Sequence, residues 1–462
     1  MSEMKRLPLE GIRVLDSSYI FSLPYTGALL ADMGAEVIKV EGPGRTDPTR
    51  FGGLFGSFPE NEVSGDWWDR CSTYNLLNRG KFSLTLDLTD AGARDLFREM
   101  VSISDVVMEN YTPRVMRDWG LDYRSLRKVR PDIIMVSNTG YGHGEGPYSG
   151  YPAQATTLEA THGLCWITGY PGGPPSRAGS SYVDFLSTWT ALFAIGAALR
   201  HRSRTGQGQW IDLAMYQIGA MAISEYILDY TVNGRLGQRM GNRHTFRAPQ
   251  GCYRSAGEDE WVTLSVGSDE QWQSLCELMG QPGLIQDPRF DGALSRFQNH
   301  DELDSILNQW TERYDKYQLM ETLQSAGIPS GPVLNNKDTH LDPHLRAREF
   351  LENVTFPEER GIGTRPFIGR PYKFSKSPLE IKGPAPALGQ HNERVLMELL
   401  GVSEEKYLVL EQQAITGNAP VTGEPVFPAP IGRQIEEGRL GGWDPDYAEV
   451  LKDCLGGRGV DR

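Results

Sequence analysis

The side chain with the clearest chemical potential in this chain is Asp184, which heads a long apolar segment, Phe185 to Leu199, holding Trp189, Leu192, Phe193 and Ile195. A segment apolar on all sides is expected to be a helix inside a large fold. It runs into Arg200, His201 and Arg202, basic residues that suit a helix C-terminus, with Gly206 placed as the cap. Asp184 then falls in the first turn, where free N–H groups and the helix dipole favour the ionised carboxylate. A buried ionised carboxylate in a dry setting has the makings of a nucleophile. Asp in that position more commonly serves as a helix cap, and position alone leaves the cap ahead.

Other groups carry weaker signals. Thr139 to Gly146 (TGYGHGEG) follows a strand, and its alternating glycines mark a loop that bends sharply or hugs a ligand. His143 in that loop has no partner visible in the sequence. Arg114 and Arg117 suit either anionic phosphates, through charge-assisted hydrogen bonds, or a solvated basic helix face. His340 and His344 have metal-ligand spacing, but Pro343 between them argues against one helix carrying both, so no metal site is expected.

The bulk numbers narrow the field. With 462 residues the chain can bury a core and form more than one domain, and its 39% hydrophobic and 23% charged content is that of a globular protein. A net charge of −14 argues against general nucleic-acid or anionic-membrane binding, so an anionic substrate must find a local basic patch. Five widely spaced cysteines without a C-x-x-C pair speak against a disulfide framework or structural zinc. The N-terminal MSEMKRLPLEG lacks an apolar signal region, and no run is long enough for a clear membrane span, which together predict a cytoplasmic protein.

The elements that must position these groups are legible as an α/β pattern. Ile12 to Asp16 reads as a strand, Pro24 to Met33 as a helix, and Glu36 to Glu41 as a second strand, which makes a right-handed βαβ unit on a parallel sheet. The turn Ser17 to Leu23 has none of the glycines that a pyrophosphate requires, so a dinucleotide site is not expected there. Ser83 to Leu88, Asp105 to Glu109, Asp132 to Ser137 and Trp210 to Leu213 read as further strands, and Ala214 to Val232 as a helix. Gly42 to Ser64 is a glycine-rich loop. Beyond Asn233 the texture becomes linker-like, then a hairpin (Gly251 to Arg254 with Glu260 to Val266) and several helices follow. The tail from Gln412 is rich in Gly and Pro, with a short helix expected over 445–455.

A resemblance gathers these features. Tyr182-Val183-Asp184, the apolar segment, His201-Arg202-x-Arg-Thr-Gly-x-Gly-Gln and the run Ile211 to Tyr216 (IDLAMY) resemble the family III CoA-transferases, the group that includes formyl-CoA transferase and α-methylacyl-CoA racemase. The opening unit (Pro8 to Gly11, Leu15-Asp16 and LLADMGAEVIKVE over 29–41), Asn78 to Lys81, Asn110-Tyr111, Gly140 to Gly142, Ala326 to Val333 and Ala387 to His391 extend the match, which fades near Glu404. The resemblance implies a large Rossmann-like, CoA-binding domain over 1–225, a linker and smaller α+β domain over 226–335, a return segment over 336–405 and an extension of unknown role over 406–462. It also implies an interlocked homodimer.

For chemistry, the resemblance makes Asp184 the residue that attacks an acyl-CoA thioester, places Tyr141 beside it, and makes Tyr19, Ile20, Lys81, Asn110 and Tyr111 contacts for CoA, with Arg114 and Arg117 as phosphate candidates. Asp118 stands where the family has an arginine. CoA is substrate here, and no tightly bound cofactor or metal is implied. The expected reaction moves CoA from a donor acyl-CoA to an acceptor carboxylic acid, with succinyl-CoA the donor by analogy. Two alternatives remain: a racemase of 2-substituted acyl-CoA, weakened because Gln154 stands where that branch has a histidine and cannot act as a base, and a silent CoA-binding protein. Trp166, Tyr170 and the 172–175 loop suggest a roomy acid pocket.

Overall fold

The computed structural model describes residues 7–52, 57–180 and 182–456, and the chain divides into two compact units. The first comprises residues 1–162, 179–224 and 343–462, and the second residues 163–178 and 225–342. Residues 163–178 thus leave the large domain to which the sequence reading gave them. The reason is local: Trp166 Nε1 donates to Gly237 O at 2.9 Å, and Gly241 N–H donates to Gly169 O at 2.8 Å.

In chain order the first unit is built from β1 (Arg13–Asp16), α1 (Ser22–Asp32), β2 (Glu36–Glu41), α2 (Ser72–Asn78), β3 (Phe82–Thr85), α3 (Ala91–Ser102), β4 (Val106–Glu109), α4 (Pro113–Asp118), α5 (Tyr123–Val129), β5 (Ile134–Thr139) and α6 (Ala155–Thr161). After α7 (Leu164–Ile167), which belongs to the second unit, it resumes with α8 (Tyr182–Thr205), β6 (Trp210–Ala214) and α9 (Met215–Met221). All six strands run parallel in the order β3-β2-β1-β4-β5-β6. That order reverses direction between β1 and β4, and open α/β sheets bind ligands at this switch point, outside the strands' carboxyl ends.

Strand alternation explains the two layers. Leu15, Ile38, Val40, Val107 and Met135 bury one sheet face under Leu96, Phe97 and Met100 of α3. Val14, Val37, Val106, Met108 and Ile134 bury the other under α1 and Ala191, Ile195 and Ala198 of α8. A strand covered on both faces must be apolar at consecutive positions, which is what the sequence shows.

α8 departs from the expectation of an all-round buried helix. Val183, Ser187, Thr188, Ala191, Ile195 and Ala198 form its packed face, while Phe193 is 79% exposed. By length and composition α8 qualifies as a membrane span, which the sequence reading did not anticipate. Its packed face carries Ser187 and Thr188, and Thr188 Oγ1 donates to Ser22 O at 2.9 Å, so within this unit it is a core helix lying on α1. The helix expected over 214–232 is broken at 222–223 into α9 and the helix Ser224–Asn233.

The second unit has an antiparallel sheet of β7 (Gln250–Arg254), β8 (Trp261–Ser265) and β9 (Ser330–Pro332). Helices Asp269–Leu278, His300–Thr311 and Lys316–Ser325 cover it, with Trp272, Leu275, Leu303 and Leu323 in its core. The return segment of the first unit carries the hairpin of β10 (Leu351–Thr355) and β11 (Thr364–Ile368).

Candidate active site

A cavity of about 290 Å³ opens at the switch point, lined by Tyr19 to Ser22 after β1, Asn110 to Pro113 after β4, Asn138 to Gly140 at the end of β5, residues from Gln154 to Leu158 around α6, and Asp184 of α8. Asp184 lies in the first turn of α8, as its sequence position requires. Burial, reinforced by the charge of Glu159, raises its carboxyl to about 7. Glu159 is fully buried on α6, and the neighbouring Leu158 packs in one apolar cluster with Val183, the residue before Asp184. The negative charge of Glu159 disfavours a second negative charge on Asp184, in the same direction as burial. Glu159 escaped the sequence reading because nothing local marks it; only the packing of α6 on α8 brings it near.

The sign of that shift gives a prediction. Asp184 keeps its proton in the folded protein up to about pH 7, whereas an unfolded Asp loses it near about pH 4. Ionisable Asp184 therefore costs stability progressively as pH rises between these values. Asp184→Asn should melt close to the wild type near about pH 4 and increasingly above it by about pH 7. A melting-temperature difference that does not change with pH would contradict the placement.

The first turn after β1 is clamped at every residue. Asn110 Oδ1 accepts from Tyr19 N–H at 2.9 Å while its Nδ2 donates to Tyr19 O at 2.7 Å. The Tyr19 ring lies edge-on to Tyr111 at 5.7 Å and faces Lys39 Nζ at 4.9 Å, and burial raises its phenol to about 12. Ile20 has φ 67°, a left-handed conformation that a β-branched residue rarely adopts. Its N–H donates to the buried Asp47 carboxylate at 3.2 Å. No glycine signalled this turn, because side-chain partners rather than glycine hold its shape.

Tyr19, Ile20, Asn110, Tyr111 and Asp184 are brought together at the cavity, and the other predicted residues are not. Lys81 is buried instead, its Nζ 2.8 Å from Asp16 Oδ2 and 2.8 Å from Asn78 Oδ1, and it packs over Gly27, where a Cβ would lie 2.9 Å from Lys81 Cε. The ammonium neutralises the carboxylate that ends β1, and Lys81 is not among the residues that line the cavity. Tyr141 packs among Leu158, Val183, Met215 and Tyr216 rather than lining the cavity, so it braces the start of α8. Arg114 and Arg117, with side chains 76% and 70% exposed, lie beside Asp118 on the outer part of α4, whose Pro113 alone reaches the lining. Trp166 and Tyr170 fall in the second unit, where the Arg239 guanidinium covers Trp166. His143 does have a partner: its Nδ1 lies 3.2 Å from Asp212.

Comparison with known proteins fits this geometry. The model of CoA-transferase family III matches residues 9–392. Among characterised relatives, the succinyl-CoA–D-citramalate CoA-transferase of Chloroflexus aurantiacus is 34% identical over 411 residues, 88% of this chain and 98% of that one. The succinate–glutarate CoA-transferase of Agrobacterium fabrum is 33% identical over 86% of this chain and 96% of its own. A CaiB/BaiF family protein from Brucella suis, solved by crystallography, superposes with a TM-score of 0.76 at 31% identity, covering 85% of this chain and all of that one. The chain belongs to CoA-transferase family III and is a CoA-transferase.

Proposed function

We propose that the protein moves CoA from a donor acyl-CoA to an acceptor carboxylic acid through covalent intermediates on Asp184. The observation that carries this is a half-buried carboxylate, raised to about 7, lining the cavity at the switch point of the sheet. An Asp Oδ attacks the thioester carbonyl carbon, the C–S bond breaks, and CoA thiolate leaves behind an aspartyl mixed anhydride. The thiolate attacks the aspartyl carbonyl, expelling the donor acid as its carboxylate and forming an aspartyl-CoA thioester. The acceptor carboxylate attacks that thioester, releasing thiolate and forming a second anhydride. Thiolate attack on the acceptor's acyl carbon then yields the new acyl-CoA and regenerates the Asp carboxylate. Each intermediate preserves the activation energy of the thioester, so no outside energy source enters.

The cavity supports these steps in two ways. Burial removes water that would hydrolyse the anhydride, and it raises the basicity of the attacking carboxylate. The N-terminus of α1 opens at the cavity through Phe21 and Ser22. Its early N–H groups, those of Ser22 and Leu23 before Pro24, supply donors for the tetrahedral oxyanions.

Succinyl-CoA is the first donor to try, since one relative is named a succinyl-CoA–D-citramalate CoA-transferase and another a succinate–glutarate CoA-transferase. The assay is exchange between succinyl-CoA and a panel of carboxylic acids in D2O, expecting new acyl-CoA without deuterium at the α-carbon. Deuterium uptake without acid exchange would instead support the racemase. Gln154 lines the cavity, and among the described lining residues there is no His, Lys or Arg to serve as a racemase base.

A homodimer belongs to the same proposal. The first unit exposes Phe193 and Met221, and the second exposes Val232, Leu236 and Phe246, the last at 83%. Large apolar side chains left in water favour a covering partner. Sedimentation should give the mass of two chains, and a monomer at micromolar concentration would refute it.

A further inference from the structure

The family match ends at residue 392, and nothing in the sequence assigns a task to the chain beyond 412. In the structure that segment is tied down. It is anchored at the end of β3, where Gly417 N–H donates to Thr85 Oγ1 at 2.9 Å and Thr85 Oγ1 donates to Gly417 O at 2.6 Å. It then runs along the loop Pro43 to Phe51. Val421 N–H donates to Pro43 O at 2.9 Å, Thr422 Oγ1 to Gly44 O at 2.7 Å, and Val426 N–H to Phe51 O at 2.8 Å. Gly423 sits flat on the Phe51 ring: a Cβ there would lie 2.3 Å from a ring carbon, and its φ of +98° excludes most side chains as well.

The loop gripped in this way is the one that shapes the cavity wall. Tyr19 OH donates to Arg45 O at 3.1 Å, and Ile20 N–H donates to Asp47. Asp47 is itself fixed, accepting from Lys39 Nζ at 3.0 Å and Thr49 N–H at 3.0 Å while its own N–H donates to Glu41 Oε1 at 2.8 Å. A β-branched residue in the left-handed region is strained and persists only where its surroundings over-determine it. Ile20 is such a residue, Asp47 is its restraint, and the C-terminal segment covers the loop that carries Asp47.

We propose that residues Val421 to Val426 are a positioning element for the acyl-CoA substrate, holding the 43–51 loop so that Tyr19 and Ile20 keep the shape that receives the CoA moiety. The proposal rests on the reading of this cavity as the CoA site. It is tested in the full-length protein with Gly423→Val, which cannot seat on Phe51, and with Thr422→Val, which removes one hydrogen bond and leaves the fold intact. Hydrogen exchange of the 19–20 and 43–51 amides and the affinity for free CoA are measured together.

Gly423→Val should speed exchange in both stretches and weaken CoA binding by about tenfold, with kcat at saturating acyl-CoA within about twofold of wild type. Thr422→Val should shift both readouts in the same direction by a smaller factor. Faster exchange with unchanged CoA affinity in both variants overturns the proposal and leaves a plain structural brace. Unchanged exchange overturns it as well. Wild-type protein that fails to bind CoA overturns the cavity reading itself, an outcome recognisable because it does not depend on either variant.

Discussion

Asp184→Asn is expected to lose CoA transfer by roughly 10⁴-fold or more, the scale seen when an enzyme's covalent nucleophile is removed. The amide is nearly the same size as the carboxyl, so the first turn of α8 and its packing through Val183 on Leu158 stay as they are. Binding of acyl-CoA should survive, because Tyr19, Ile20, Asn110 and Tyr111 line the cavity from other elements. What disappears is the oxygen that must form the anhydride. Glu159 cannot replace it: it lies fully buried on α6 and is not among the lining residues. Initial rates of acyl exchange, alongside calorimetric titration with CoA, separate the two effects. Transfer within about tenfold of wild type would remove Asp184 from the mechanism.

The second large effect concerns stability. Arg50 is completely buried, with Nη2 2.8 Å from Glu41 Oε2 and Nη1 2.6 Å from Asp69 Oδ1, and its guanidinium lies 3.5 Å from the centre of the Tyr74 ring. Burial pushes the Glu41 carboxyl upward, but Arg50 outweighs it and holds the group at about 2. Arg50→Met keeps most of the volume and strands two buried carboxylates, which should cost about 3–5 kcal/mol of unfolding free energy at neutral pH. The sign with pH follows from Glu41. Its lowered value stabilises the wild type fully above the unfolded value of about 4.3, and that stability is lost as pH falls toward about 2. The gap between variant and wild type in urea denaturation should therefore narrow on acidification. A variant within about 1 kcal/mol of wild type at neutral pH would show that this network contributes little.

Much of the frame behind these effects was readable from the chain. The βαβ start, the buried parallel strands and the hairpin of the second unit follow from local apolar patterning, and local patterning is what a sequence displays. The place of Asp184 in the first turn of α8 was legible because that helix is also local. What escaped depended on partners far along the chain. Asn110 clamps Tyr19 across 91 positions, and Lys81 turns inward to meet Asp16 across 65, pairings that nothing near either residue announces. Ile20 is the sharpest case: a β-branched residue is the last choice for positive φ, and only the assembled network of Asp47 and Lys39 makes the turn tenable. Phe193 was misjudged for the opposite reason, since apolar character does not reveal whether a side chain is covered by its own chain.

The most direct test of the central claim is peptide mass spectrometry of protein incubated with succinyl-CoA and quenched with hydroxylamine. The account predicts a hydroxamate on the peptide that carries Asp184, formed only when a thioester is present and absent from Asp184→Asn. Active transfer with that peptide unmodified in the wild type, or with the adduct on another carboxylate, would contradict it.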